Sequence, residues 1–159
     1  MVQKPVVNKF RMTVEVRKVY DRTERSVWPM PLLEAVTKHL NGSKVVFALN
    51  FFKGYSHLSL SMDSQEKLSF ITDQRVYTPS LVLMDGRDSV AYCQSAVQQT
   101  FGKLLYKNLP VCLGDLLVNA TTSEQLLTRL EDVFTVCEER GLKLNPEKSK
   151  FWKISTLWC

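Results

Sequence analysis

An α+β fold is predicted by three observations on this 159-residue sequence. Short apolar runs at 44–49 and 111–118 read as strands, and two longer stretches repeat their apolar residues at helical spacing. From residue 44 onward the order is strands, helix, hairpin, helix, strand, which suggests a split βαβ arrangement with an antiparallel sheet packed on two helices. With 45% hydrophobic and 23% charged residues and no internal repeat, the chain can bury one sizeable core.

The elements follow in order. FRMTVEVRKV (10–19) alternates apolar and polar residues and is predicted as a strand. After the turn-like VWPMP, residues 32–40 place Leu32, Leu33, Val36 and Leu40 on one helical face, and Lys38, His39 and Asn41-Gly42 close it. His39 suits the dipole at that helix end. KVVFAL is a buried-strand run; YSHLSLSM (55–62) alternates with Leu58, Leu60 and Met62 on one side, and KLSFIT and SLVLM continue the β pattern. A long helix opens near Asp88 or Ser89, with Val90, Cys93, Val97, Phe101 and Leu104 along it.

VCLGDLLV (111–118) is predicted as a hairpin in which Gly114 supplies a positive φ and Asp115 takes the second turn position. Thr121-x-x-Glu124 forms a capping box ahead of Leu126, Leu127, Leu130, Val133, Phe134 and Cys137, and Arg140-Gly141 ends that helix. KFWKISTLW (150–158) is a final strand candidate.

Composition narrows the function classes. No window approaches the roughly 18 apolar residues of a membrane span, and MVQKPVVNKF has no apolar leader core, so a cytoplasmic or nuclear setting without a membrane is expected. Cys93, Cys112, Cys137 and Cys159 form no C-x-x-C pair and read as buried thiols. The Asn41 and Asn119 sequons read as coincidence in that setting. Net charge is +5; residues 1–25 hold seven Lys/Arg against three acids, and residues 141–159 hold four against one. Basic ends of this kind follow a phosphate backbone or form solvated faces.

Several stretches resemble, in order and roughly in spacing, one known family. FRMTVEVRKVYDRT, PMPLLEAVTKHLNGSKVVFALNFFKGYSHLSL, VCLGDLLV and GLKLNPEKSKFW, together with a weaker match at LMDGRDSVAYCQ, are similar to the fingers-to-palm region of reverse transcriptases from gypsy-type long-terminal-repeat retrotransposons. The resemblance runs from about residue 8 to about residue 157 and implies a polymerase palm-like fold. It divides the chain into a partial fingers-like segment, 1–43, and a palm-like domain, 44–159, expected to fold as one unit. The family's thumb, connection and ribonuclease H parts have no counterpart in this stretch.

In that family three aspartates hold two magnesium ions, which align a primer 3′ hydroxyl with the incoming nucleotide and offset phosphoryl charge. The family positions fall here at Asn50, Gly114 and Asp115, so only Asp115 keeps its carboxylate, a metal-site remnant, and Cys112 stands where the family has tyrosine. The resemblance carries nucleotide- or nucleic-acid-binding candidates onto Arg11, Arg17, Tyr55, Gln94, Lys148 and Lys150; Gly86 and Gln94 keep the ends of an eroded loop. The expectation is a catalytically inactive module that binds a protein partner or RNA/DNA and needs no cofactor. The alternative is residual nucleotidyl transfer with magnesium on Asp115 and a substitute ligand, Asp85 or Asp88. Trp152 and Trp158 on an uncovered palm face would favour a homodimer.

Overall fold

The computed structural model describes residues 2–3, 10–11, 13–84, 86–105, 109–112 and 115–153. In chain order the elements are β1 (Val2–Gln3), β2 (Phe10–Arg11), α1 (Arg17–Tyr20), α2 (Leu33–Leu40), β3 (Val45–Asn50), α3 (Met62–Lys67), β4 (Phe70–Ile71), β5 (Val76–Tyr77), α4 (Ser89–Leu105), β6 (Val111–Cys112), β7 (Asp115–Ala120), α5 (Ser123–Glu139) and β8 (Lys150–Lys153). They sort into two compact units, each made of two chain segments: 1–27 with 55–90, and 28–54 with 91–159. The chain therefore crosses between units at 27, 54 and 90.

The second unit carries the sheet, whose strand order is β6-β7-β3-β8 with every neighbour antiparallel. Its central strand β7 is an apolar run, and Leu116, Leu117, Val118, Asn119 and Ala120 are all buried, as a strand covered on both faces requires. Helix α5 packs against β7 and β3 through Leu126, Leu130, Val133 and Cys137. From α4, Phe101 reaches the Phe51 ring at 6.2 Å between centroids, and Gln94 Nε2 donates to the Val111 carbonyl at 3.0 Å. The sheet, the two long helices and the 111–118 hairpin all appear where the sequence placed them.

Some details differ. Leu127 and Phe134 of α5, Val90 of α4 and Leu32 before α2 are exposed; an apolar stripe that wide overruns the strip a helix can bury against one sheet. The α5 cap lies one residue later than predicted: the Thr122 hydroxyl accepts from Gln125 N at 3.3 Å. Gly141 has φ +63°, the left-handed conformation that a helix end requires of glycine. Asp115 is not a turn residue but the first residue of β7, paired with Cys112. The predicted turn position Gly114 and its neighbour 113 lie outside the described residues.

The first unit departs further from expectation. The predicted strand over 10–19 contributes only Phe10–Arg11 to a ladder with β1, and residues 17–20 turn into α1. Alternation is only half of a strand; residues 13–16 have no ladder partner among the described residues. Likewise 55–62 is not a strand. Gly54–His57 makes a 3-10 turn, and the Ser61 hydroxyl accepts from Ser64 N at 3.3 Å to start α3, leaving Met62 exposed. Local capping defeats a periodic pattern that has a single bridge, Ser59 to Leu81, to hold it. KLSFIT contributes β4, which pairs with β5 as a separate hairpin.

The thiols of Cys93 and Cys137 are buried and unpaired, and burial pushes the Cys137 thiol up to about 11. Asn119 is buried, its amide donating to the His39 carbonyl at 3.1 Å and to the Ser43 hydroxyl at 2.7 Å, so its sequon is inaccessible in the folded chain. Among the described residues no helix is long and apolar enough to cross a membrane. Trp158 and the rest of 154–159 lie outside the described residues.

Candidate functional site

The site is built by register. β3 and β7 pair so that Asn50, the last residue of one, stands opposite Asp115, the first of the other. Two residues far apart in the chain, Asn50 and Asp115, thus share one cross-strand pair. The Asn50 side-chain Nδ2 donates to Asp115 Oδ1.

The segment after α5 locks the end of β3 from the other side. Asn145 N donates to the Asn50 carbonyl at 2.7 Å, and Asn50 N donates to the Ser149 hydroxyl at 3.1 Å. The Asn145 side-chain oxygen accepts from Glu147 N and Lys148 N, at 3.1 and 3.3 Å, and Ser149 Oγ donates to the Asn145 carbonyl at 2.7 Å. This Asx turn is what Asn-Pro specifies locally. It brings Lys148 and Lys150 to where both cations act on Asp115.

Asp115 therefore sits under opposed influences. Burial raises its carboxyl above the ordinary carboxylate value, the Asn50 hydrogen bond pulls it down, and the charges of Lys148 and Lys150 pull the same way, with burial the largest effect. Among the described residues no group of three or more His, Cys, Asp or Glu is placed to hold a metal ion.

The other candidates are dispersed. Gln94 is fully buried, and its amide donates to the Val111 carbonyl and so positions β6. The Arg17 guanidinium is exposed and its fork is filled by Glu15, with Nε at 2.8 Å and Nη2 at 2.7 Å from the carboxylate oxygens. That pairing holds the Glu15 carboxyl down at about 2. Tyr55 lies half-buried in the 3-10 turn, and Arg11 lies in β2, paired with Val2. Of the substitute ligands, Asp88 accepts from Ser26 N at 3.1 Å, within the first unit, and Asp85 lies outside the described residues. Sequence reasoning missed Asn145 and Ser149, which hold Asn50 in place; the N-P-E-K-S run was the available signal.

One backbone feature adjoins the site. Lys53 has φ +51°, the left-handed region, three residues beyond Asn50, with its ammonium 5.6 Å from the Phe52 ring. An L-residue there costs about 1–2 kcal/mol, partly offset by the entropy that glycine would lose on folding. Lys53→Gly is accordingly expected to raise unfolding stability by about 0.5 kcal/mol, read as a higher denaturant midpoint with an unchanged slope.

An antiparallel four-stranded sheet with helices packed on it, and a site at the adjoining ends of its two central strands, defines a polymerase palm-like domain. The sequence matches the reverse transcriptase (RNA-dependent DNA polymerase) family over residues 2–157, and the chain belongs to that family. It is 25% identical over 146 residues to the retrovirus-related Pol polyprotein from transposon 297 of Drosophila melanogaster, covering 92% of this chain and 14% of that protein. To the Pol polyprotein from transposon gypsy of the same organism it is 21% identical, covering 91% and 14%. The chain thus spans about a seventh of the length of these relatives and is a reverse-transcriptase-like domain of retrotransposon type.

Solved structures agree on the fold. The foamy viral protease-reverse transcriptase dRH in complex with ds DNA superposes with a TM-score of 0.88 at 20% identity, covering 99% of this chain and 27% of that one. The native prototype foamy virus protease-reverse transcriptase gives 0.81 at 17%, covering 94% and 20%.

Proposed function

We propose that this chain is a reverse-transcriptase-like domain that does not transfer nucleotides and works by binding RNA or DNA. The observation that carries the reading is the Asn50–Asp115 hydrogen bond. Magnesium takes hard oxygen ligands and needs carboxylate charge to give up part of its water shell. Here the one carboxylate faces an amide N–H and two lysines, while Asn50 is neutral and Gly114 has no side chain. The residues present do not fit a pair of magnesium ions. The former cation site has become a locally neutralised one.

The binding half of the reading rests on charge. Residues 141–159 carry Lys143, Lys148, Lys150 and Lys153 against Glu147 alone. Lys150 and Lys153 lie on β8, at the edge of the sheet and paired with Ala48 and Val46. Cations spaced along one edge suit a phosphate backbone. A relative of the same fold has been solved in complex with ds DNA.

Two assays test the two halves. In primer extension with magnesium or manganese, wild-type protein is expected to add no nucleotide. Extension that disappears on Asp115→Ala would overturn the reading. Equilibrium binding of a single-stranded RNA and a single-stranded DNA should weaken as salt rises, with a log–log slope near −2.8 if all four lysines meet phosphates. No binding at low ionic strength would remove nucleic acid and leave a protein as the partner.

A further inference from the structure

The link between α2 and β3 is a four-residue turn, Leu40-Asn41-Gly42-Ser43. Asn41 has φ −61° and ψ 130°, Gly42 has φ +81°, and Ser43 N donates to the Leu40 carbonyl at 3.0 Å. These are the angles and the bond of a type II turn, whose third residue needs a positive φ and is glycine for that reason. Strand β7 holds the turn at both ends. The Asn119 amide donates to the His39 carbonyl before the turn and to the Ser43 hydroxyl that closes it, and Lys44 N donates to the Ala120 carbonyl just after.

The tip itself is bare. Asn41 and Gly42 are exposed, and Asn41 borders an open hollow of about 340 Å³ at the end of α2. Among the described residues the Asn41 side chain has no hydrogen-bond partner, and the Gly42 N–H donates to none. A Cβ placed on Gly42 would meet nothing within 4 Å. An amide carbon and an unbonded backbone nitrogen thus adjoin in water, with no side chain on Gly42 to hinder their approach. No other asparagine of the chain precedes a glycine.

We propose that Asn41 is a site of spontaneous deamidation and that its isoaspartyl product loosens the α2–β3 link. Hydroxide removes the Gly42 N–H proton, and the nitrogen attacks Asn41 Cγ. The N–Cγ bond forms, the Cγ–Nδ2 bond breaks, and ammonia leaves with a proton from water, giving a five-membered succinimide. Water then adds to one of the two ring carbonyls. Opening at Cγ leaves aspartate at 41; opening at the main-chain carbonyl leaves isoaspartate, with the chain running through Cβ. The balance is one asparagine and one water to one acid and one ammonia, which is why asparagine is a thermolabile residue. The ψ of 130° keeps Gly42 N turned from Cγ, so the ring closes only when the turn opens and the Ser43–Leu40 bond breaks. That opening sets the rate.

Both products bear on the fold. Each adds a negative charge at the C-terminal end of α2, against the helix dipole. Isoaspartate also lengthens the main chain by one atom between His39 and Ser43, the two residues that Asn119 bridges. None of these groups belongs to the Asn50–Asp115 pair, so the inference holds whether or not the domain transfers nucleotides.

The test incubates the full chain at neutral and mildly alkaline pH and maps its peptides by mass spectrometry. Acid is expected at position 41 in proportion to hydroxide, about tenfold or more faster than at buried Asn119, where more of the fold must open. A purified isoaspartyl methyltransferase with a labelled methyl donor should mark the incubated chain and not Asn41→Gln, whose longer side chain closes its ring far more slowly. The isoaspartyl fraction, separated by ion exchange on its added charge, should melt about 1–4 °C below the parent. Conversion at Asn41 no faster than at Asn119, or labelling that persists in Asn41→Gln, overturns the site. An unchanged midpoint in the isoaspartyl fraction overturns the loosening.

Discussion

Asn50→Asp combined with Gly114→Asp is expected to make the chain respond to magnesium where the parent does not. On the reading proposed above, the two substitutions place carboxylates at positions 50 and 114, beside Asp115. In the parent, the Asn50 amide donates to Asp115 and needs no cation. With Asp at position 50, two carboxylates face each other across the β3–β7 pair, and the unloaded site is repulsive.

The sign with pH follows. Each carboxyl in such a pair has its folded value raised above the unfolded one. Its contribution to stability is present at low pH and is lost as pH rises through the carboxylate range. Added magnesium should reverse that loss, by about 2.7 kcal/mol when its concentration is 100 times the dissociation constant. Differential scanning calorimetry at neutral pH, with and without magnesium, reads the effect directly. An equal upward shift in the parent chain would show that the Asn50 site already holds the ion, and the proposed loss of transfer chemistry would fail with it.

Phe101→Ala is expected to give the largest loss of stability of any single substitution considered. Phe101 is fully buried in α4, with its ring against Phe51, the residue that follows the site residue Asn50. Truncating a buried phenylalanine costs roughly 3–5 kcal/mol through lost burial and the cavity left behind. Against a total of about 5–15 kcal/mol for a domain, that is a large fraction. Phe134→Ala is the matched control: the ring lies on α5 but is 44% exposed, and its loss should shift the denaturant midpoint far less. Equal shifts for the two would mean that the α4 contact with Phe51 does not bear on stability.

Much of the palm-like half was legible from residues alone. Helices α4 and α5 are long enough for 3.6-residue periodicity to dominate, and β7 and β3 are apolar enough to be buried whatever flanks them. The first unit was far less legible. FRMTVEVRKV and YSHLSLSM carry the alternation of strands, but alternation says nothing about whether a neighbouring backbone is present to complete the hydrogen bonds. At 61–64 a serine cap offered the chain a local alternative. The misplaced turn at 114–115 has the same origin: Gly-Asp is a sound turn dipeptide, but pairing of Asp115 with both Cys112 and Asn50 draws it into the strand.

By itself the sequence determined the family, the α+β class and the order of the long elements. These are properties of residue type and short-range spacing. Only the tertiary structure decided how the site residues meet: the register of β3 on β7 sets the Asn50 amide against Asp115, and the Asn145 turn brings Lys148 and Lys150 to act on the same carboxylate. Register and electrostatic neighbourhood join residues 50, 115 and 148, and a contact across 65 residues of chain leaves no local trace in the sequence.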